Sequence, residues 1–172
     1  MQRVIITGAN GSGKSTLATR LQTARPDVPL CRFDSFKLTT EWQTRPRAAI
    51  DRDLAQQVAA PAWIIEGGPS VLPLALPRAD LAISLDPPLP VRAWRLFARP
   101  VRHAGRTRPE LPAGNRDQIA AGWRFAWRSL RRDRQSFNTV QNTVTGAPCP
   151  VVHCPTRVDV ESAVKLWAGA AL

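Results

Sequence analysis

The chain has 172 residues, 44% of them apolar, enough to bury the core of one domain. No run of about 18 apolar residues is present, which excludes a membrane-spanning helix. The first residues carry no signal-peptide pattern, predicting a cytoplasmic protein, and the formal net charge of +11 rests on arginine, 21 of the 24 basic residues.

In chain order, Arg3-Val4-Ile5-Ile6-Thr7 is a short β-branched apolar run and reads as a buried strand. It leads into Gly8-Ala9-Asn10-Gly11-Ser12-Gly13-Lys14-Ser15, a full match to G-x-x-x-x-G-K-[ST]. In such a loop, backbone N–H groups close around phosphates, Lys14 reaches the β- and γ-phosphates, and the Ser15 hydroxyl can hold Mg²⁺. Thr16 follows in a helix over Lys14–Ala24, with Leu17, Ala18 and Leu21 at helical spacing. The predicted nucleotide-binding set is therefore Gly8, Asn10, Gly11, Ser12, Gly13, Lys14, Ser15 and Thr16.

A second strand spans Val28–Phe33 and ends at Asp34; residues 35–45 read as loop. Pro46 opens a helix with Ile50, Leu54 and Val58 on one face, closed by Pro61. Trp63-Ile64-Ile65 is a third strand, ending at Glu66-Gly67-Gly68-Pro69, and Leu81–Leu85 a fourth, ending at Asp86. A helix runs from Leu89 to about Arg99, with Trp94 and Phe97 inward. Arg102–Asn115, with Gly105, Pro109, Pro112 and Gly114, is a loop. A single helix is predicted from Asp117 to about Val140, with Trp123, Trp127 and Leu130 on a core stripe. The six tryptophans read mainly as core rather than as base-stacking platforms. Val151–Cys154 is a fifth strand, with His153 a satisfied strand histidine. Thr156-Arg157-Val158-Asp159 resembles a capping box opening a last helix, with Val160, Val164 and Trp167 inward. Cys31, Cys149 and Cys154 are odd in number and lack zinc spacing, predicting reduced thiols.

Strands alternating with helices predict an α/β three-layer fold, a five-stranded parallel sheet flanked by helices. Ligands of such sheets bind at the carboxyl ends of the strands, which puts the glycine loop, Asp34, Glu66–Pro69 and Asp86 on one rim. Asp34 suits a general base that orients a hydroxyl acceptor, or a partner of Mg²⁺-bound water; a turn cap is the alternative. Glu66, after Trp-Ile-Ile, suits the Mg²⁺ shell together with Ser15. Gly67 and Gly68 allow close approach of a substrate. Asp86 before Pro87-Pro88 suits a cap as well as a site residue.

The charge is local. Arg92–Arg134 holds 12 Arg and no Lys against Glu110, Asp117 and Asp133. Arginine alone suggests planar, bidentate phosphate contacts, with a solvated basic face as the alternative. Arg95 and Arg99 share a helix face, and the arginine-bearing loop follows directly. That arrangement suits a lid over about 100–115 that closes on phosphates. His103 reads as a lid surface residue.

Five stretches carry a resemblance: the glycine loop, Arg32-Phe33-Asp34, Ala62-Trp63-Ile64-Ile65-Glu66-Gly67, Ala79–Asp86, and Trp94-Arg95 through Gly105-Arg106-Thr107-Arg108-Pro109-Glu110. Together they resemble the DNA topology modulation proteins, adenylate-kinase-like P-loop proteins of bacteria. The resemblance covers nearly the whole chain and implies one nucleoside- or nucleotide-kinase-like domain over 1–172. It implies that Arg95 packs on the adenine, Arg99 meets the phosphates, and Arg106 and Arg108 act from the lid. Pro155 and Thr156 resemble the loop that touches the adenine, and Glu66-Gly67 resembles the Asp-Gly of adenylate kinases. In place of the Asp and Asn-Tyr usual in relatives, this chain has Glu66 and Gly68-Pro69.

The sequence thus predicts an ATP- and Mg²⁺-dependent phosphotransferase acting on a small acceptor such as a nucleoside or nucleotide. Catalysis would rest on Lys14, Asp34, Arg99, Arg106 and Arg108, with Asp34, Glu66, Gly67 and Gly68 toward the acceptor. The competing reading is a P-loop protein that grips DNA through its arginines, although no nucleic-acid recognition motif is visible. A monomer or homodimer fits either reading.

Overall fold

In the computed structural model, residues 1–108 and 111–169 are described. Five strands, β1 (Arg3–Gly8), β2 (Leu30–Arg32), β3 (Trp63–Glu66), β4 (Leu81–Leu85) and β5 (Val151–Cys154), are all parallel and lie in the order β2-β3-β1-β4-β5. Between them run α1 (Lys14–Ala24), α2 (Phe33–Lys37), α3 (Arg47–Ala59), α4 (Leu72–Ala75), α5 (Leu89–Arg102), α6 (Ile119–Arg131) and α7 (Asp133–Thr145), with α8 (Arg157–Gly169) last. This is the predicted α/β architecture.

Alternation along the central strand assigns the two cores. Val4 and Ile6 point to one face and Ile5 to the other, because successive strand side chains alternate. On the first face Leu17, Ala18 and Leu21 of α1 pack with Ala163 and Trp167 of α8. On the second, Leu54 and Val58 of α3 pack with Val140 and Val144 of α7. The two core tryptophans satisfy their indole N–H groups: Trp63 Nε1 donates to Val58 O and Trp167 Nε1 to Leu21 O, each at 3.2 Å.

The structure corrects several boundaries. β2 is only three residues long, and Phe33–Lys37 is a short helix rather than loop, which places Asp34 in its first turn. α5 does not stop near Arg99 but continues through Pro100 to Arg102. The predicted 117–140 helix is two helices that break at Arg132, where ψ turns to 10°. Asp133 then opens α7, its carboxylate held by Arg92 at 2.5 and 2.8 Å.

The core reading of the tryptophans fails for four of six: Trp42, Trp94, Trp123 and Trp127 are exposed. The inner face of α5 is instead Arg92, Leu96 and Pro100. The inner side of α6 is small: Ala126 is buried, and a Cβ on Gly122 would stand 2.2 Å from Pro100 Cγ. Small residues bring the helices together, and the rings face outward. His153 is exposed on its edge strand rather than enclosed. The three cysteines are free thiols. Among the described residues, no helix is long and apolar enough to cross a membrane.

Candidate active site

β1 is the switch point of the sheet: the chain lays β2 and β3 on one side of it and β4 and β5 on the other. Crevices form outside the strand ends at such a point. Here the crevice is a cleft of about 1140 Å³. Its floor is the loop from Asn10 to Ser15, at the N-terminus of α1, where helix N–H groups and the helix dipole favour an anion. Gly11, at φ 77°, is pressed so near α5 that a Cβ would lie 2.7 Å from Arg92 O. Asn10 Nδ2 donates to Ser129 Oγ of α6 at 2.8 Å, tying the loop to the arginine-rich helices.

Lys14 Nζ donates to Gly8 O and Ala9 O, at 2.9 and 3.0 Å, so the ammonium lies over its own loop. Burial holds its pKa below the usual lysine range, against the pull of the Glu66 and Asp34 carboxylates. Ser15 Oγ donates to Glu66 Oε1 at 3.3 Å, joining the hydroxyl and carboxylate predicted to hold the metal. Burial pushes the Glu66 carboxyl above the usual range; Lys14 opposes the shift and Asp34 adds to it. Ser12 Oγ is buried with no hydrogen-bond partner, an oxygen suited to a phosphate ligand.

Asp34, Gly67 and Gly68 line the same cleft. Gly67 N donates to Ile6 O at 3.1 Å, and nothing lies within 4 Å of a Cβ added at Gly68, so that corner is open. Thr16, Pro155 and Thr156 also line the cleft. Thr156 and Asp159 form the predicted capping box: Thr156 N and Oγ1 donate to Asp159 Oδ2, and Asp159 N donates to Thr156 Oγ1. Asp86 is not among the lining residues; its N–H donates to Cys154 O.

The arginines divide. Arg95 and Arg99 line the cleft, as their shared face predicts. Arg95 Nη1 donates to Ser12 O at 2.9 Å, so it braces the phosphate loop. Arg99 lies over the Phe125 ring, 5.7 Å from its centroid. Arg108 reaches the cleft wall, but its guanidinium is buried, 2.9 Å from Asp117 Oδ2 and 5.8 Å from the Trp42 ring centroid. That contact is an ion pair between two buried side chains. Arg106 is exposed and is not brought to the cleft. Pro109 and Glu110 of the quoted lid motif lie outside the described residues.

Asn115 fastens the predicted lid loop. It accepts from Trp42 N and donates to Thr39 O at 2.6 Å and to Pro112 O at 2.9 Å. This segment therefore rests on the turn at 39–43, where Glu41 and Trp42 adopt φ of 54° and 60°.

Comparison with solved structures agrees with this architecture. A Thermus thermophilus protein, TT1252, superposes with a TM-score of 0.58 at 18% identity, over 99% of this chain and 98% of its own. Shikimate kinase from Bacteroides thetaiotaomicron gives 0.54 at 20% identity, again over 99% and 98%. Shikimate kinase from Acinetobacter baumannii, solved with shikimate, gives 0.56 at 12% identity, over 99% and 93%. The chain shares the α/β fold of these structures. No protein-family model matches the sequence and no curated protein matches it, so the DNA topology modulation resemblance gains no support there.

Sequence reasoning missed two basic cleft residues beside Asp34. Arg32 ends β2 and donates to Thr19 Oγ1 at 2.9 Å; Lys37 closes α2. The available signal was their flanking of Asp34, which residues 35–45 read as loop obscured. Conversely, Arg92 belongs to the charge run yet serves the core, paired with Asp133.

Proposed function

We propose that the chain is an ATP- and Mg²⁺-dependent phosphotransferase acting on a small hydroxyl-bearing acceptor, with nucleosides and nucleotides the first class to test. The observation that carries this reading is the joining of Lys14, Ser15 and Glu66 in one cleft that Asp34 and Gly68 share. Lys14, half-buried in the cleft and held by the Gly8 and Ala9 carbonyls, supplies a point charge for a transferring phosphoryl group. Ser15 and Glu66 are the oxygen pair that would hold Mg²⁺. Two protein oxygens suit that ion, which takes its other ligands from water and phosphate. Bound there, Mg²⁺ supplies neutralisation of charge on the phosphates.

Asp34, exposed in the first turn of α2, orients the acceptor hydroxyl and takes its proton. Arg95 keeps the loop carbonyls in place, Arg99 faces the phosphates, and Pro155 and Thr156 border the nucleoside. The segment over about 100–115 works as the lid, with Arg108 inside it, in a cytoplasmic protein whose residues 1–172 form one domain. Arg32 and Lys37 suit an anionic acceptor, and one kinase of this fold was solved with shikimate, so hydroxy acids join the acceptor screen.

The test is Lys14→Ala. Turnover with any acceptor found is expected to fall about 10²- to 10³-fold, and the thermal shift produced by MgATP to vanish. A variant that keeps both, with unchanged circular dichroism, refutes the assignment.

A further inference from the structure

The outer face of the α5–α6 pair carries aromatic rings that stand partly in solvent, with Trp123 Nε1 donating to Phe97 O at 3.2 Å across the pair. Trp94 is 73% exposed, Trp127 55% and Trp123 47%. Trp94 and Trp123 form the sides of a second concavity of about 460 Å³, lined also by Phe97, Ala98, Val101 and Arg102. We propose that this groove binds a single-stranded polynucleotide, with bases stacked on Trp94 and Trp123 and phosphates met by the arginines beside them.

Charge selects the partner. Neither α5 nor α6 contains an acidic residue. The nearby acids Asp117 and Asp133 face Arg108 and Arg92. Arg102, Arg124, Arg128 and Arg131 are exposed on or next to the aromatic face. A second copy of the same face would repel it, whereas a polyanion is attracted. Shape and chemistry narrow the polyanion. Alternating rings and guanidinium groups match bases alternating with phosphates. Arg131 already lies over the Trp127 ring, 5.3 Å from its centroid, holding a phosphate-binding group beside a stacking surface. A concave groove accepts a flat base between its walls and suits a planar bilayer poorly. A duplex hides its base faces, so stacking requires a single strand. The groove also shares Trp94, Ala98 and Arg102 with the phosphate cleft, so a bound strand passes the cleft mouth. The proposal stands independently of phosphotransfer.

Fluorescence anisotropy of a fluorescein-labelled 20-nucleotide mixed-sequence DNA strand, titrated with the full chain, tests it. Binding is expected to quench tryptophan emission and to weaken steeply with salt. The hybridised duplex is expected to bind at least severalfold more weakly. Trp94→Ala, whose ring is largely in solvent, is expected to cost about tenfold in affinity, the scale of one lost base stack. Trp127→Ala, also exposed, should weaken binding through a second site if the first variant folds poorly. Any of four results overturns the proposal: no binding of the strand, equal binding of strand and duplex, affinity unchanged in both variants, or a light-scattering dimer that Trp94→Ala dissociates. Binding to phosphatidylglycerol vesicles with no binding of the strand overturns it as well.

Discussion

The phosphate-loop corner and the α5–α6 pair are the two most conspicuous stretches of this sequence, and they differ in how residues become positions. In the loop, the groups facing the cleft are backbone N–H groups and side chains whose Cα atoms are fixed by a strand end or a first helical turn. Lys14, Ser15 and Glu66 therefore lie where their spacing implies. In α5 and α6 the chemistry sits at the ends of long side chains, and a three- or four-residue spacing says only that two residues share a face. It does not say which face looks inward. Arg92 and Arg95, three apart, end respectively in the core on Asp133 and on the loop carbonyls.

Substitutions can break that comparison. The largest effect is expected from Arg92→Ala, which leaves Asp133 with no guanidinium opposite: a loss of about 3–5 kcal/mol, read by urea denaturation. A loss under about 1 kcal/mol would show Arg92 to be a surface charge after all. Gly122→Ala drives a Cβ into the Pro100 ring and should cost about 1–3 kcal/mol by the same measurement.

Glu66→Gln sharpens the loop side. The raised pKa of Glu66 means that its stabilising contribution is present below the ordinary carboxylate range and is lost as pH rises through the raised folded value. At pH 7 the Gln variant should therefore melt higher than the parent, while its MgATP-dependent turnover falls. The gap should close toward pH 4. The smallest effect belongs to Arg106→Ala, exposed and away from the cleft: stability within about 0.5 kcal/mol and unchanged turnover. A large loss of turnover would return Arg106 to the catalytic group.

Legibility follows the same physics. β1, the loop and α1 were readable because a buried parallel strand is a continuous apolar run and a phosphate loop is a fixed glycine spacing. The strand end carrying Glu66 was readable for the first reason. The helix after β2 was not, because Phe33–Lys37 is one turn and a half and too short to show a period. The tryptophans of α5 and α6 misled because hydrophobic spacing is conventionally taken to face the core. Here Gly122 and Ala126 allow a helix contact too close for rings, which pushes Trp123 and Trp127 outward. The break at Arg132 lacked a glycine or proline to announce it.

Pro100 lying against Gly122 has a mechanical consequence. A ring packed against a bare backbone acts as a keyed joint: α5 and α6 cannot slide along or roll over one another without separating. α5, with Arg95 and Arg99, and α6 are thereby joined as one lever beside the cleft. Through Asn10 and Ser129, the phosphate loop touches that lever directly.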